Sequence, residues 1–156
     1  CLRAWPSCHC CSLGSQFIAG HQHIGGHPEW GNGTQIIGSS NQRQVIYDIL
    51  DRKIVSTLGN SDIFPKPEGD VSLSPDGEWL INGYNFKTGA NFYSLLNLKT
   101  GVSLKTPSFD TGVYSKDLRI DPAPRWNHDS NQVLVSGLDS KGIRQLFIMS
   151  FIQKRV

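Results

Sequence analysis

Charge is scarce in this chain. Asp, Glu, Lys and Arg make up 18% of its 156 residues, below the quarter usual for soluble domains, and the formal net charge is only +2. No run of Lys and Arg exceeds two residues, so the basic patch of a nucleic-acid binder is missing. Long apolar runs are missing too, and nothing approaches the roughly 20 residues that a membrane-spanning helix needs. Methionine occurs once. The sequence contains no Gly-rich phosphate loop, no nucleophile elbow and no helix-borne pair of metal-binding histidines. These absences exclude the more easily recognised nucleotide-binding and hydrolytic enzymes.

What is present favours strands. Sixteen glycines and many Asn, Asp and Ser punctuate short runs rich in Ile, Val, Leu, Tyr and Phe, the composition of an all-β protein. The length suits one ordinary domain with a real core. The chain opens on Cys1, and positions 1–11 hold no apolar signal-peptide core. The expectation is therefore a processed, truncated or misplaced start, from which no compartment is readable.

Residues 1–26 stand apart. All four cysteines (Cys1, Cys8, Cys10, Cys11) and four of five histidines (His9, His21, His23, His27) lie in or beside this segment. Its one strand candidate is Gln16–Ala19. From His27 onward three similar units follow, with boundaries expected at 27–69, 70–122 and 123–156, the last incomplete. The second is the clearest: Val71-Ser72-Leu73, a turn at Ser74-Pro75-Asp76-Gly77, then strands Trp79–Tyr84, Asn91–Leu98 and Val102–Thr106. Pro75 presets φ, Asp76 bonds its following backbone and Gly77 supplies a positive φ.

In register, Trp30, Leu73 and Trp126 share one position. Behind them align Ile36-Ile37-Gly38, Leu80-Ile81-Asn82 and Val133-Leu134-Val135. Further on, the runs Val45–Ile49, Ser94–Leu98 and Phe147–Phe151 correspond. A repeat of about 40–50 residues with about four strands is the signature of a β-propeller blade. The competing fold is an all-β sandwich with hairpins alike by chance. Three blades do not close a ring, because propellers have about 4–8. The fold class expected is thus all-β, about three four-stranded antiparallel blades, open rather than closed. Unpaired faces would await the missing blades of a parent chain, or copies of the same one.

Ser74-Pro75-Asp76-Gly77-Glu78-Trp79-Leu80 resembles the turn of TolB-type, WD40-like propeller repeats. Asp121-Pro122-Ala123-Pro124-Arg125-Trp126, with Gly26-His27-Pro28-Glu29-Trp30, is similar to blades of bacterial oligogalacturonate lyase-related propellers. That resemblance implies a β-propeller fragment that binds or cleaves acidic (uronate) oligosaccharides. The reaction implied is metal-assisted β-elimination, with a divalent, Mn-like metal held by His and Gln on the central face. Ala123 stands where that branch carries a His. The alternative is a non-catalytic scaffold whose ligand is a protein or small molecule.

His21, His23 and His27 are the candidate metal ligands. In extended backbone His21 and His23 project to one face, and a turn at Gly25-Gly26 would fold His27 back toward them. The other reading is three solvated loop histidines. Cys8-His9-Cys10-Cys11 is either a soft-metal or redox cluster or a non-native leader, since zinc sets come as separated pairs. Arg119 and Arg125 are the candidates for an anionic ligand, against an ordinary surface ion pair of either with Asp117 or Asp121. Trp30, Trp79 and Trp126 are expected in the core. Tyr84, Phe86 and Tyr114 are the aromatics available for stacking on a sugar.

Overall fold

The computed structural model describes residues 24–114 and 116–151. Each repeat forms an antiparallel meander, because every apolar run is followed by a tight turn that sends the chain back beside itself. The first sheet holds β1 (Gly25–Trp30), β2 (Gln35–Ser40), β3 (Arg43–Asp48) and β4 (Lys53–Leu58). The second holds β5 (Asp70–Leu73), β6 (Trp79–Asn85), β7 (Ala90–Asn97) and β8 (Ser103–Lys105), and β9 (Phe109–Asp110) pairs with the start of β7. The third holds β10 (Arg125–Trp126), β11 (Gln132–Leu138) and β12 (Arg144–Ser150). The first two sheets touch along their leading strands, where β1 and β5 run parallel with His27 opposite Asp70. Among the described residues the sheets form an open array, not a closed ring.

The register matches the internal alignment. Trp30 faces Ile36, Leu73 faces Leu80 and Trp126 faces Val133. One strand further out, Ile37 faces Ile46, Ile81 faces Leu95 and Leu134 faces Ile148. A slip of one residue would turn each apolar set to the wrong face, so this agreement carries the assignment of blades.

The turns explain the polar positions of the repeat. The Ser74 hydroxyl donates to Asp76 Oδ1 at 2.5 Å and accepts from the Trp79 amide at 2.8 Å, while the Gly77 amide donates to the Ser74 carbonyl at 2.8 Å. Asn127 repeats the arrangement in the third blade. Its Oδ1 accepts from the Gln132 amide at 2.9 Å and its carbonyl from Ser130 at 3.2 Å, with Ser130 at φ +56° where Gly77 has +73°. At the next turn but one, Asp48 Oδ1 accepts from the amides of Leu50 and Asp51, and Asn97 Oδ1 from those of Lys99 and Thr100. Such side-chain-capped turns need a short oxygen acceptor at that position.

Burial pushes the Asp76 carboxyl up, but hydrogen bonds from Ser74, the Glu78 amide and Ser130 outweigh it and hold the group below its ordinary value. Its contribution is therefore complete above the unfolded carboxylate pKa of about 3.9 and is lost as pH falls through the lower folded value. Asp76→Ala should lower Tm by a few degrees at pH 7, from about 1 kcal/mol of lost bonds. The gap from wild type should shrink in melts at about pH 2.

Two apolar layers lie between the sheets. Ile37, Val71, Leu80 and Leu96 pack between the first two sheets, joined by Phe64 from their connection. Ile81, Tyr93, Leu95, Val133 and Val135 pack between the second and third, with Trp79, Trp126, Phe147, Met149 and Phe151 against them. Neighbours Leu80 and Ile81 thus serve opposite layers, and the middle blade is apolar on both faces.

Two expectations need correction. Trp126 is partly buried and donates its indole N–H to the Ser72 carbonyl at 3.2 Å, but its equivalent Trp30 is 62% exposed. Trp126 has a preceding blade to lean on, whereas no described blade stands before Trp30. Gly25-Gly26 is also not a turn. Both lie in β1, with Gly26 at φ +79° and an irregularity in the pairing with β2.

Candidate functional site

In a meander blade, the second-to-third-strand hairpin and the connection to the next blade emerge at the same end. At that end the segment from Pro107 to Pro122 lies against the Phe86–Gly89 turn of the second blade. Two buried side chains of β7 hold it. Asn91 Nδ2 donates to the Ile120 carbonyl at 3.1 Å and the Tyr93 hydroxyl to the Pro122 carbonyl at 3.0 Å. Burial pushes the Tyr93 phenol well above its ordinary value, so it stays protonated as a donor. From the third blade, Ser136 Oγ donates to the Asp121 carbonyl at 2.6 Å.

So held, the segment forms one wall of a groove of about 620 Å³. Lys87 reaches it from the β6–β7 turn, Lys116 from a single 3-10 turn (Lys116–Leu118), and Arg119 from just beyond. Against these three cations the lining has one carboxylate, Asp121, whose Oδ1 accepts from Arg119 Nε at 2.7 Å. That bond and the adjacent charge raise the guanidinium pKa further. Tyr114 forms part of the rim, with the Arg144 guanidinium 4.6 Å from its ring centre. Arg144 also donates to the Leu118 carbonyl.

Arg119 and Asp121 also line a smaller hollow of about 250 Å³, together with His27, Lys66 and Asp70. His27, Asp70 and Ala123 are equivalent positions, each three residues before the Trp30, Leu73 and Trp126 set. His27 Nδ1 lies 3.0 Å from Asp70 Oδ1, and Asp70 Oδ2 accepts from the Ala123 amide at 3.0 Å. One carboxylate therefore joins all three blades.

The structure brings His27 and Arg119 to one hollow. Arg125 is elsewhere, exposed, with its guanidinium donating to the neighbouring Pro124 carbonyl at 2.8 Å. His21, His23 and Cys8–Cys11 lie outside the described residues. Tyr84 is buried, its hydroxyl 3.3 Å from Ser94 Oγ, which removes it as a sugar platform; Phe86 and Tyr114 remain exposed. Sequence reasoning missed Lys87 and Lys116. Blade topology was the available signal, since it sends their two turns to the same rim.

The described residues do not fit a metal centre. His27 and Asp70 offer donors at one point, but the third repeat contributes Ala123, whose side chain has none, and among the described residues no group of three or more His, Cys, Asp or Glu assembles. No chemical step through a metal follows from them.

No family model and no curated protein matches the chain. Solved structures do. TolB from Acinetobacter baumannii is 15% identical with a TM-score of 0.51, over 82% of this chain and 30% of that one. An oligogalacturonate lyase in complex with manganese is 14% identical with a TM-score of 0.52, over 84% of this chain and 37% of that one. The chain thus spans about a third of the length of these structures. At such identity the likeness speaks for architecture alone, and together with the strand register it establishes that this chain is built of β-propeller blades.

Proposed function

We propose that this propeller segment binds acidic oligosaccharides, of the oligogalacturonate class, in the groove between its second blade and the connection that leads to the third. The observation that carries the reading is the convergence of Lys87, from the β6–β7 turn, with Lys116 and Arg119, from one turn of the following connection, on one groove with a single opposing carboxylate. Carboxylates spaced along a polyuronate suit cations spaced along a groove, and Arg119 can meet one with its fork of donors. Tyr114 offers an aromatic surface at the rim for a sugar ring. The likeness to an oligogalacturonate lyase supports this choice of ligand class. The proposal concerns binding and not the elimination reaction.

Titration of the chain with trigalacturonate, followed by calorimetry, tests the reading. Binding should weaken as NaCl rises from low to high concentration, as screening of exposed charges requires. The double substitution Lys87→Ala/Lys116→Ala should weaken it about tenfold, roughly 1.4 kcal/mol for the two contacts together. Equal affinity for neutral maltotriose, or indifference to salt, would sink the proposal.

A further inference from the structure

The chain contains the pair Asn-Gly twice, at Asn32-Gly33 and Asn82-Gly83, and the fold treats the two copies oppositely. Asn82 lies within β6 and is 0% exposed. Its Nδ2 donates to Gln44 Oε1 at 3.2 Å and to the Lys66 carbonyl at 3.0 Å. The ladder with β7 holds both residues of that pair extended, opposite Ser94 and Tyr93. Asn32 and Gly33 instead lie in the turn between β1 and β2, and both are exposed. Gly33 is at φ +61°, and nothing stands within 4 Å of where a Cβ on it would be. The Asn32 carbonyl accepts from the Gln35 amide at 3.2 Å, but among the described residues nothing bonds the Asn32 carboxamide or the Gly33 amide. At the corresponding turn of the second blade, Asp76-Gly77 is tied at both groups, the carboxyl to Ser74 Oγ and the amide to the Ser74 carbonyl.

We propose that Asn32 is a modification site, at which the folded chain deamidates spontaneously with water as the sole co-reactant. The Gly33 amide nitrogen, its proton given up to solvent, attacks Asn32 Cγ. The new N–Cγ bond closes a five-membered imide as the Cγ–Nδ2 bond breaks, and Nδ2 takes up a proton and leaves as ammonia. Water then adds to either imide carbonyl and reopens the ring, to aspartate or to isoaspartate, whose main chain runs through the former side chain. One water is consumed, one ammonia is released, and no oxidation state changes. Glycine hinders this attack least, because no Cβ flanks its nitrogen, and an exposed turn leaves the backbone free to rotate that nitrogen toward Cγ. The extended backbone of β6 holds the same nitrogen away at Asn82. The product sets a carboxylate against the turn of the second blade, beside Asp76, since a Cβ on Gly77 would stand 2.9 Å from Asn32 Oδ1. Asn32-Gly33-Thr34 also fits the acceptor pattern of an N-linked sugar, which would take the same nitrogen; deamidation requires neither an enzyme nor a compartment.

The test incubates the 156-residue chain in mildly alkaline buffer, folded and in concentrated guanidinium chloride. Peptides are mapped over time by mass spectrometry after digestion at acid pH, where the attacking nitrogen keeps its proton. In the folded chain the Asn32 peptide should gain the mass that separates a carboxyl from an amide, and its isoaspartate fraction should accept a methyl group from an isoaspartyl methyltransferase. Asn82 should convert on the order of 100-fold more slowly, because its reaction awaits local opening of β6. In denaturant, where both pairs are free, the two rates should agree. Gly33→Ala should slow conversion at position 32 about tenfold, the factor given by about 1.4 kcal/mol of barrier, and leave Asn82 unaffected. Equal rates at Asn32 and Asn82 in the folded chain, an Asn32 that converts only in denaturant, or a sugar found on Asn32 Nδ2 would overturn the proposal.

Discussion

Tyr93→Ala should cost about 3–5 kcal/mol, a fall in Tm on the order of 10 °C, when thermal melts are compared with wild type. Tyr93 is 1% exposed and sits in the layer between the second and third blades, with its ring edge-on to Phe109 at 5.6 Å between centres. Removing it opens a cavity bounded by two sheets, each fixed by its own ladder and unable to collapse inward. It also strips the Pro122 carbonyl of its donor. Tyr93→Phe separates the two effects. It keeps the ring and loses only that bond, for about 1–3 kcal/mol. Because Pro122 ends the segment that presents Arg119, the Phe variant should also weaken trigalacturonate binding while the protein remains folded at 25 °C. A Phe variant as unstable as the Ala variant would show that the hydroxyl, not the ring, holds the layer together.

Phe64→Ala should be of similar size, about 3–5 kcal/mol. Phe64 comes from no strand. It is driven into the layer between the first two blades by a turn in which the Asn60 carbonyl accepts from the Phe64 amide at 2.8 Å and Asn60 Oδ1 accepts from Asp62 and Ile63. Gly59, at φ +57°, lies so close beneath the ring that a Cβ there would sit 3.1 Å from it. The ring fills space left between sheets that splay apart, against Ile37, Val71, Leu80 and Leu96. Phe64→Leu should restore most of the loss, since volume is nearly kept. Urea denaturation measures both, and a full loss in the Leu variant would mean that ring shape matters more than filling.

Much of the fold was legible because propeller blades repeat. The alternation in Leu80-Ile81, the Asp or Asn at 48 and 97, and the turn at 74–77 each express a local rule, so aligning three copies recovers strands and register together. The exposure of Trp30 was not legible. A side chain's burial depends on what stands beside the sheet, and Trp30 and Trp126 have identical local sequence roles. Phe64 and Phe109 were missed for the opposite reason, since each enters the core from a connection without periodicity. The candidate site was half visible. Arg119 stood out beside Asp117 and Asp121, but Lys87 and Lys116 are unremarked turn residues until topology places their turns on one rim.

The Asp70 carboxylate, shared by His27 and the Ala123 amide, has a mechanical consequence. Three leading strands pinned through a single side chain keep fixed mutual tilt, like ribs of a fan riveted at the base. Arg119 and Asp121 line both the groove and the hollow that holds His27 and Asp70, so one end of the groove lies beside the point where the three blades are joined. For the proposed ligand, the frame would set the width of the groove and the loops its charge, two requirements that mutation can alter separately.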